Sequence, residues 1–145
     1  MVVERVCIVL MAVLVADVFL GVWSRYVMRA TFQWYDEVAR LCFVWMIFLG
    51  AALAVRRRAH FRLHLLIDHF GVSARRRVDI LVTLIVIAFA AVLVAGGIAI
   101  APLARRQVTD ALEISMLWFY GALPVGGALM ILFALPQLWS LVRGR

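Results

Sequence analysis

Four apolar runs, at about 6–23, 35–55, 80–101 and 117–142, leave this chain one kind of surroundings to fold in. A helix rises 1.5 Å per residue, so about twenty apolar residues match the roughly 30 Å hydrocarbon core of a bilayer. The connections are too short to build a sizeable soluble domain. Hydrophobic residues make up 67% of the 145, and the mean hydropathy is +1.05, well above a soluble domain's. The expected fold class is therefore an all-α integral membrane protein, one membrane domain over 1–145. Its four transmembrane helices are joined, between spans two and three, by an interfacial amphipathic segment.

The net charge is +7, and every basic residue except the three histidines is arginine. A basic chain can signal nucleic acid, but these arginines sit at the ends of apolar runs, where membrane topology accounts for them. No nucleic-acid partner is expected. Four spans place both termini on the side of the second connection. That side carries ten arginines: Arg5, Arg56, Arg57, Arg58, Arg62, Arg75, Arg76, Arg77, Arg143 and Arg145. The other side carries five, Arg25, Arg29, Arg40, Arg105 and Arg106. The positive-inside rule makes the richer side cytoplasmic, with both termini inside. Trp23, Tyr26, Trp34, Tyr35, Trp118 and Tyr120 then gather at the outer interface, where amphipathic rings prefer to lie. The first run also has the basic start of a signal peptide, but it continues past Asp17 without a convincing small-residue cleavage site, so it reads as an uncleaved span.

Asp17 needs a reason. A carboxylate inside a span costs about 2.5 to 3.5 kcal/mol, so it should face protein or water. It reads either as a satisfied packing residue or as a proton or ion site; a lone intramembrane acid makes a poor relay, which favours packing. Its depth matches that of Arg40, which makes a pair across the bundle one candidate contact for both. Asp36 and Glu37 open the second span, where the helix dipole favours acids and Arg40 follows at i+4 and i+3; the group is explained locally. Trp45 is expected to pack mid-span. Gly50, Ala51 and Ala52 present a small surface for close helix approach, as do Gly96 and Gly97 in the third span.

Between spans two and three, Leu63, Leu66, Ile67 and Phe70 share one face if the middle is helical, flanked by arginines. Phe61 and Leu65 fall on the opposite side, and FRLHL alternates as a short extended piece does, so the boundary stays open. Ser73 is a candidate cap for the next helix. Arg56, Arg57, Arg58, His60, Arg62, Arg75, Arg76 and Arg77 are candidate headgroup contacts. All three histidines, His60, His64 and His69, fall in this connection, away from any bundle core where haem or metal would be held. No cofactor or metal is expected. Pro102 marks an end or kink of span three. The connection LARRQVTDALEIS is short and mixed in charge. Cys7 and Cys42 lie at different depths, too far apart to bridge.

The ordered set RYVMRATFQWYDEVARLCFVWMIFLGAALAVRRRAHFRLHLL, followed by TDALEISMLWFYGALPVGGALM, resembles the small membrane subunit of tripartite ATP-independent periplasmic (TRAP) transporters. The resemblance runs from Asp17 to about Phe133. It rests on Arg25, Tyr26, Trp34, Glu37, Ala39, Arg40, Trp45, Gly50 and His60, then Tyr120, Pro124 and Gly126. Relatives often carry proline where this chain has Gln33 and Ser115, which affects loop stiffness at the outer interface.

The resemblance implies no enzyme, but a scaffold subunit in the bacterial inner membrane. Its implied partners are a large transport subunit that holds the substrate and sodium sites, and a periplasmic binding protein that delivers an organic acid. Lipid is a further partner. Asp17, Arg25, Trp34, Glu37, Arg40, Trp45, Gly50 and Tyr120 are the candidate partner-subunit or structural contacts. Two other readings carry weight: a small four-helix multidrug or cation exporter, and the membrane anchor of a respiratory enzyme. The arginine asymmetry argues against the first and the lack of intramembrane histidines against the second.

Overall fold

The structure is a computed structural model that describes residues 2–30, 32–57 and 72–143, with side chains from residue 76 in the last segment. Arg58, His60 and Arg62, most of the expected interfacial segment and the side chain of Arg75 lie outside the described residues. The described chain is helical, with no strand among the described residues. Its elements are α1 (Val2–Tyr26), α2 (Trp34–Arg56), α3 (Val72–Ala104), α4 (Leu117–Tyr120) and α5 (Ala122–Arg143). Four segments are long and apolar enough to cross a membrane: Val2–Tyr26, Trp34–Arg56, Arg76–Ala104 and Leu117–Arg143.

The helices overrun the expected spans. The backbone of Ser73 is already helical, within α3, and its side chain lies outside the described residues. Pro102 falls within α3, two residues before its end, where a missing N–H costs one bond and does not stop the helix. The hydrogen-bond ladder of the fourth span is interrupted at Gly121, which keeps helical dihedrals (φ −61°, ψ −23°). The first turn of that span, α4, gives way to α5 at Gly121, and Pro124 follows within a turn.

The helices stand in an open row. The dominant packing is α1 on α2, α2 on α5, and α5 on α3, so the last span lies between the second and third. Small residues on α5 set this order. A β-carbon on Gly126 would lie 2.6 Å from Phe48 Cβ on α2, and one on Gly127 would lie 2.8 Å from the Ala90 carbonyl on α3. Both backbones thus approach α5 closely, as van der Waals packing in lipid requires. The core beside them is Ala52, Val55, Ala90, Met130 and Ala134.

Gly50 and Gly96 were expected to join such contacts, and they do not: a β-carbon on either meets nothing within 4 Å. Ala52 takes the role on α2, with Ala51 packed beside it, and Gly97 takes it on α3. A row, unlike a closed bundle, leaves two broad apolar faces. Along α1 alone, Ile8, Val9, Met11, Val15, Phe19 and Val22 are exposed.

Candidate functional site

The row has two chemically different ends. At one, arginines and side-chain bonds tie the helix termini. Arg57 pairs with Glu4, joining α2 to α1. Arg76 donates from Nε to the Leu141 carbonyl and from a terminal nitrogen to that of Val142, both at 2.7 Å. These are among the last four carbonyls of α5, which have no partner within the helix. Gln137 does the same for α2, donating from Nε2 to the Val55 carbonyl at 2.8 Å, while its own Oε1 stays buried without a partner. Arg143 stacks over Trp139 at 4.1 Å and Arg56 over Phe133 at 5.7 Å.

At the other end lie the aromatics. The α1–α2 connection is a tight reversal, held by Ser24 Oγ on the Ala30 carbonyl at 2.7 Å and by Arg29 in the left-handed region, φ 53°. Trp34 and Tyr35 sit with ring centroids 3.8 Å apart, and Phe32 meets Tyr35 edge-on at 6.3 Å. Against this stands the α3–α4 connection, which is more ordered than its mixed charge suggests. Val108 and Ser115 form an antiparallel bridge, and the Thr109 N–H donates to the Ile114 carbonyl at 2.9 Å. Glu113 turns the chain at φ 52°. Ser115 Oγ donates to the Ala104 carbonyl at 3.1 Å and accepts from the Leu117 N–H at 3.2 Å, closing the loop at both ends.

Glu37 joins the two connections. Its Oε1 accepts the Ala111 N–H at 2.8 Å and its Oε2 the Leu112 N–H at 3.0 Å, and the side chain is buried. The local reading of Asp36, Glu37 and Arg40 is therefore corrected for Glu37. Its partners are backbone amides more than seventy residues away. Arg40 is exposed and pairs with neither acid. Trp45, expected only to pack, donates from Nε1 to the Trp118 carbonyl at 2.9 Å. The break at Gly121 explains that bond, since among the described residues no Ala122 N–H reaches this carbonyl.

Asp17 and Arg40 do not pair. Asp17 is 6% exposed, faces α2, and leaves Oδ2 without a hydrogen-bond partner, whereas Arg40 turns outward. The equal depths predicted from residue counts hold nothing about azimuth, and helical phase separates them. Cys7 and Cys42 are both free thiols. Arg25 and Trp34 are exposed at the aromatic end, Tyr120 is half-buried beside the α4–α5 break, and Gly50 has open space beside it. Arg56, Arg57, Arg76 and Arg77 are all exposed at the arginine end.

This architecture has known counterparts. The family described as "Tripartite ATP-independent periplasmic transporters, DctQ component" matches residues 6–144. The chain is 26% identical over 140 residues to the sialic acid TRAP transporter small permease protein SiaQ of Vibrio cholerae, covering 97% of this chain and 81% of that protein. It is 34% identical over 65 residues to a putative TRAP transporter small permease protein of Haemophilus influenzae, covering 45% of this chain and 40% of the relative. It is also 28% identical over 124 residues to the sialic acid TRAP transporter permease protein SiaT of Haemophilus influenzae, covering 86% of this chain but 20% of that longer protein. Neither an exporter nor a respiratory anchor is favoured by these matches. With four helices among the described residues long and apolar enough to cross a membrane, and a family match over nearly its whole length, the chain is a multi-pass membrane protein, no enzyme, and belongs to the DctQ small-permease family of TRAP transporters.

Proposed function

We propose that the chain is the scaffold subunit of a sodium-driven TRAP transporter, bracing a large transport subunit without binding substrate itself. The carried solute is an organic acid brought by a periplasmic binding protein. The chain sits as one membrane domain in the bacterial inner membrane, arginine end and termini in the cytoplasm and aromatic end in the periplasm. The observation that carries this reading is where the polar groups go. Glu37, Trp45, Gln137 and Arg76 are spent on joining the chain's own helices and loops, while the row keeps broad apolar faces to either side. A carrier would instead show broken helices gathering polar groups at the midplane. Here the break at Gly121 lies near a span end, and its free carbonyl is taken by Trp45.

Arg25, Trp34 and Tyr120 are candidate contacts with the large subunit or the binding protein, and Gly50 offers a close-approach point on a membrane face. Arg56 and Arg77, together with Arg58, His60, Arg62 and Arg75, are assigned to cytoplasmic headgroups, whereas Arg57 and Arg76 of the same cluster are engaged by Glu4 and by the last carbonyls of α5. The relative from Vibrio cholerae is named for sialic acid, which carries a carboxylate, and this supports the organic-acid class. The test is co-expression with the large subunit, pull-down, and uptake of labelled organic acids into proteoliposomes. Uptake should need both membrane chains, sodium and the binding protein. Transport by this chain alone would refute the scaffold role.

A further inference from the structure

Most polar side chains buried in this fold have a partner, and Asp17 is an exception. It is 6% exposed, and its Oδ2 has no hydrogen-bond partner. It lines a cavity of about 250 Å³ between α1 and α2, together with Gly21, Arg25, Phe32, Tyr35 and Asp36. Two carboxylates and one guanidinium give this cavity a formal charge of −1. Arg25 does not cancel Asp17: it lies two helical turns further along α1, about 12 Å by axial rise, and forms no ion pair with either acid. Arg40 does not line the cavity at all. A carboxylate at this depth calls for a charge partner or water, and the described residues supply no charge partner.

The lining says what kind of cation fits. A hard divalent ion takes six or more oxygen ligands, and two carboxylates beside helical carbonyls already committed to hydrogen bonds fall short of that. A guanidinium or ammonium needs only one carboxylate and gains from aromatic faces. Phe32 and Tyr35, in edge-to-face contact at 6.3 Å, supply such faces on the cavity wall. The volume also exceeds what a bare ion fills, and Arg25, Tyr26 and Phe32 place the opening at the aromatic end.

We infer that the Asp17 cavity receives an arginine or lysine side chain of the large membrane subunit, whose cationic head pairs with the Asp17 carboxylate between α1 and α2. This rests on the reading that such a subunit binds this chain, and it names one contact that joins them. The two chains would then be locked by a buried ion pair formed only on assembly, in addition to apolar contact between faces.

The test uses the full-length complex. Phe32 at the cavity mouth is replaced by the photoreactive p-benzoylphenylalanine, the co-expressed chains are purified and irradiated, and the cross-linked peptide is mapped by mass spectrometry. The expected product joins Phe32's position to a large-subunit segment with an arginine or lysine within one helical turn. In the native Phe32 background, Asp17→Asn should lower co-purified large subunit on the order of tenfold, and Asp17→Glu should retain most of it. Cross-links only to lipid, to this chain, or to a segment without a basic residue would overturn the inference, and the photo-cross-link stands on its own if Asp17→Asn does not fold. A well-folded Asp17→Asn that assembles like wild type also overturns it. If the unaltered chains fail to co-purify, the subunit reading falls as well, whereas co-purification without the cross-link removes this inference alone.

Discussion

Gly97 on α3 and Pro124 on α5 stand so close that a β-carbon on the glycine would lie 2.4 Å from the proline Cδ. The ring is rigid and cannot swing away, so the helices themselves must separate. Gly97→Ala is expected to destabilise the protein by about 1–3 kcal/mol, the usual cost of overpacking, in thermal unfolding in detergent. Its neighbour is the control. Gly96→Ala meets open space and should be neutral or slightly stabilising, because alanine is the better helix former.

Glu37 holds the α3–α4 connection through two backbone amides. Glu37→Gln keeps one acceptor oxygen and should hold one amide; Glu37→Ala holds neither. Hydrogen exchange is expected to quicken at Ala111 and Leu112 in the order wild type, Gln, Ala, with the core amides of α5 unchanged. Equal protection in all three would show that the loop's own bridge suffices.

Trp45→Phe keeps an aromatic ring on α2 and removes the bond to the Trp118 carbonyl. Interhelical hydrogen bonds in membranes average about 0.6 kcal/mol, so the loss should be small, well under that of Gly97→Ala. The sharper readout is local. A carbonyl 13C probe at Trp118 should report the lost donor.

Gln137 combines a satisfied donor with an orphaned acceptor. Gln137→Met removes both and is expected to change stability by less than about 1 kcal/mol, since losing the bond and losing the orphan offset each other. Gln137→Glu, when ionised, turns an acceptor on the Val55 carbonyl and should cost about 2 kcal/mol or more. Chemical unfolding of both variants against wild type separates the two.

The sequence carried the span count and the chemistry of the two ends, because bilayer thickness and headgroup charge act on runs of residues that can be read directly. It did not carry azimuth. Asp17 and Arg40 match in depth but face different ways, and Gly96 and Gly97 are adjacent yet only one touches α5. Every span is apolar nearly all round, so no polar face marks which side turns to a neighbour. Glu37 was hidden for another reason. Its targets are backbone N–H groups, which every residue but proline has, and an acid in a first helical turn already has a local explanation. The α4–α5 break was half visible: Gly121 and Pro124 signal irregular backbone, while nothing in the residue types assigns the freed carbonyl to Trp45.

The spatial order α1, α2, α5, α3 differs from the order in which a ribosome delivers the helices. The first two can settle against each other as a hairpin on emergence. The third has its main neighbour, α5, only after the fourth span has been made and wedged between it and α2. Until then α3 waits in lipid, and the glycines of α5 are the last pieces to arrive. A chain stalled before residue 122 should therefore enter the membrane as a separate hairpin and a lone helix, open to quality-control proteases, however hydrophobic each segment is.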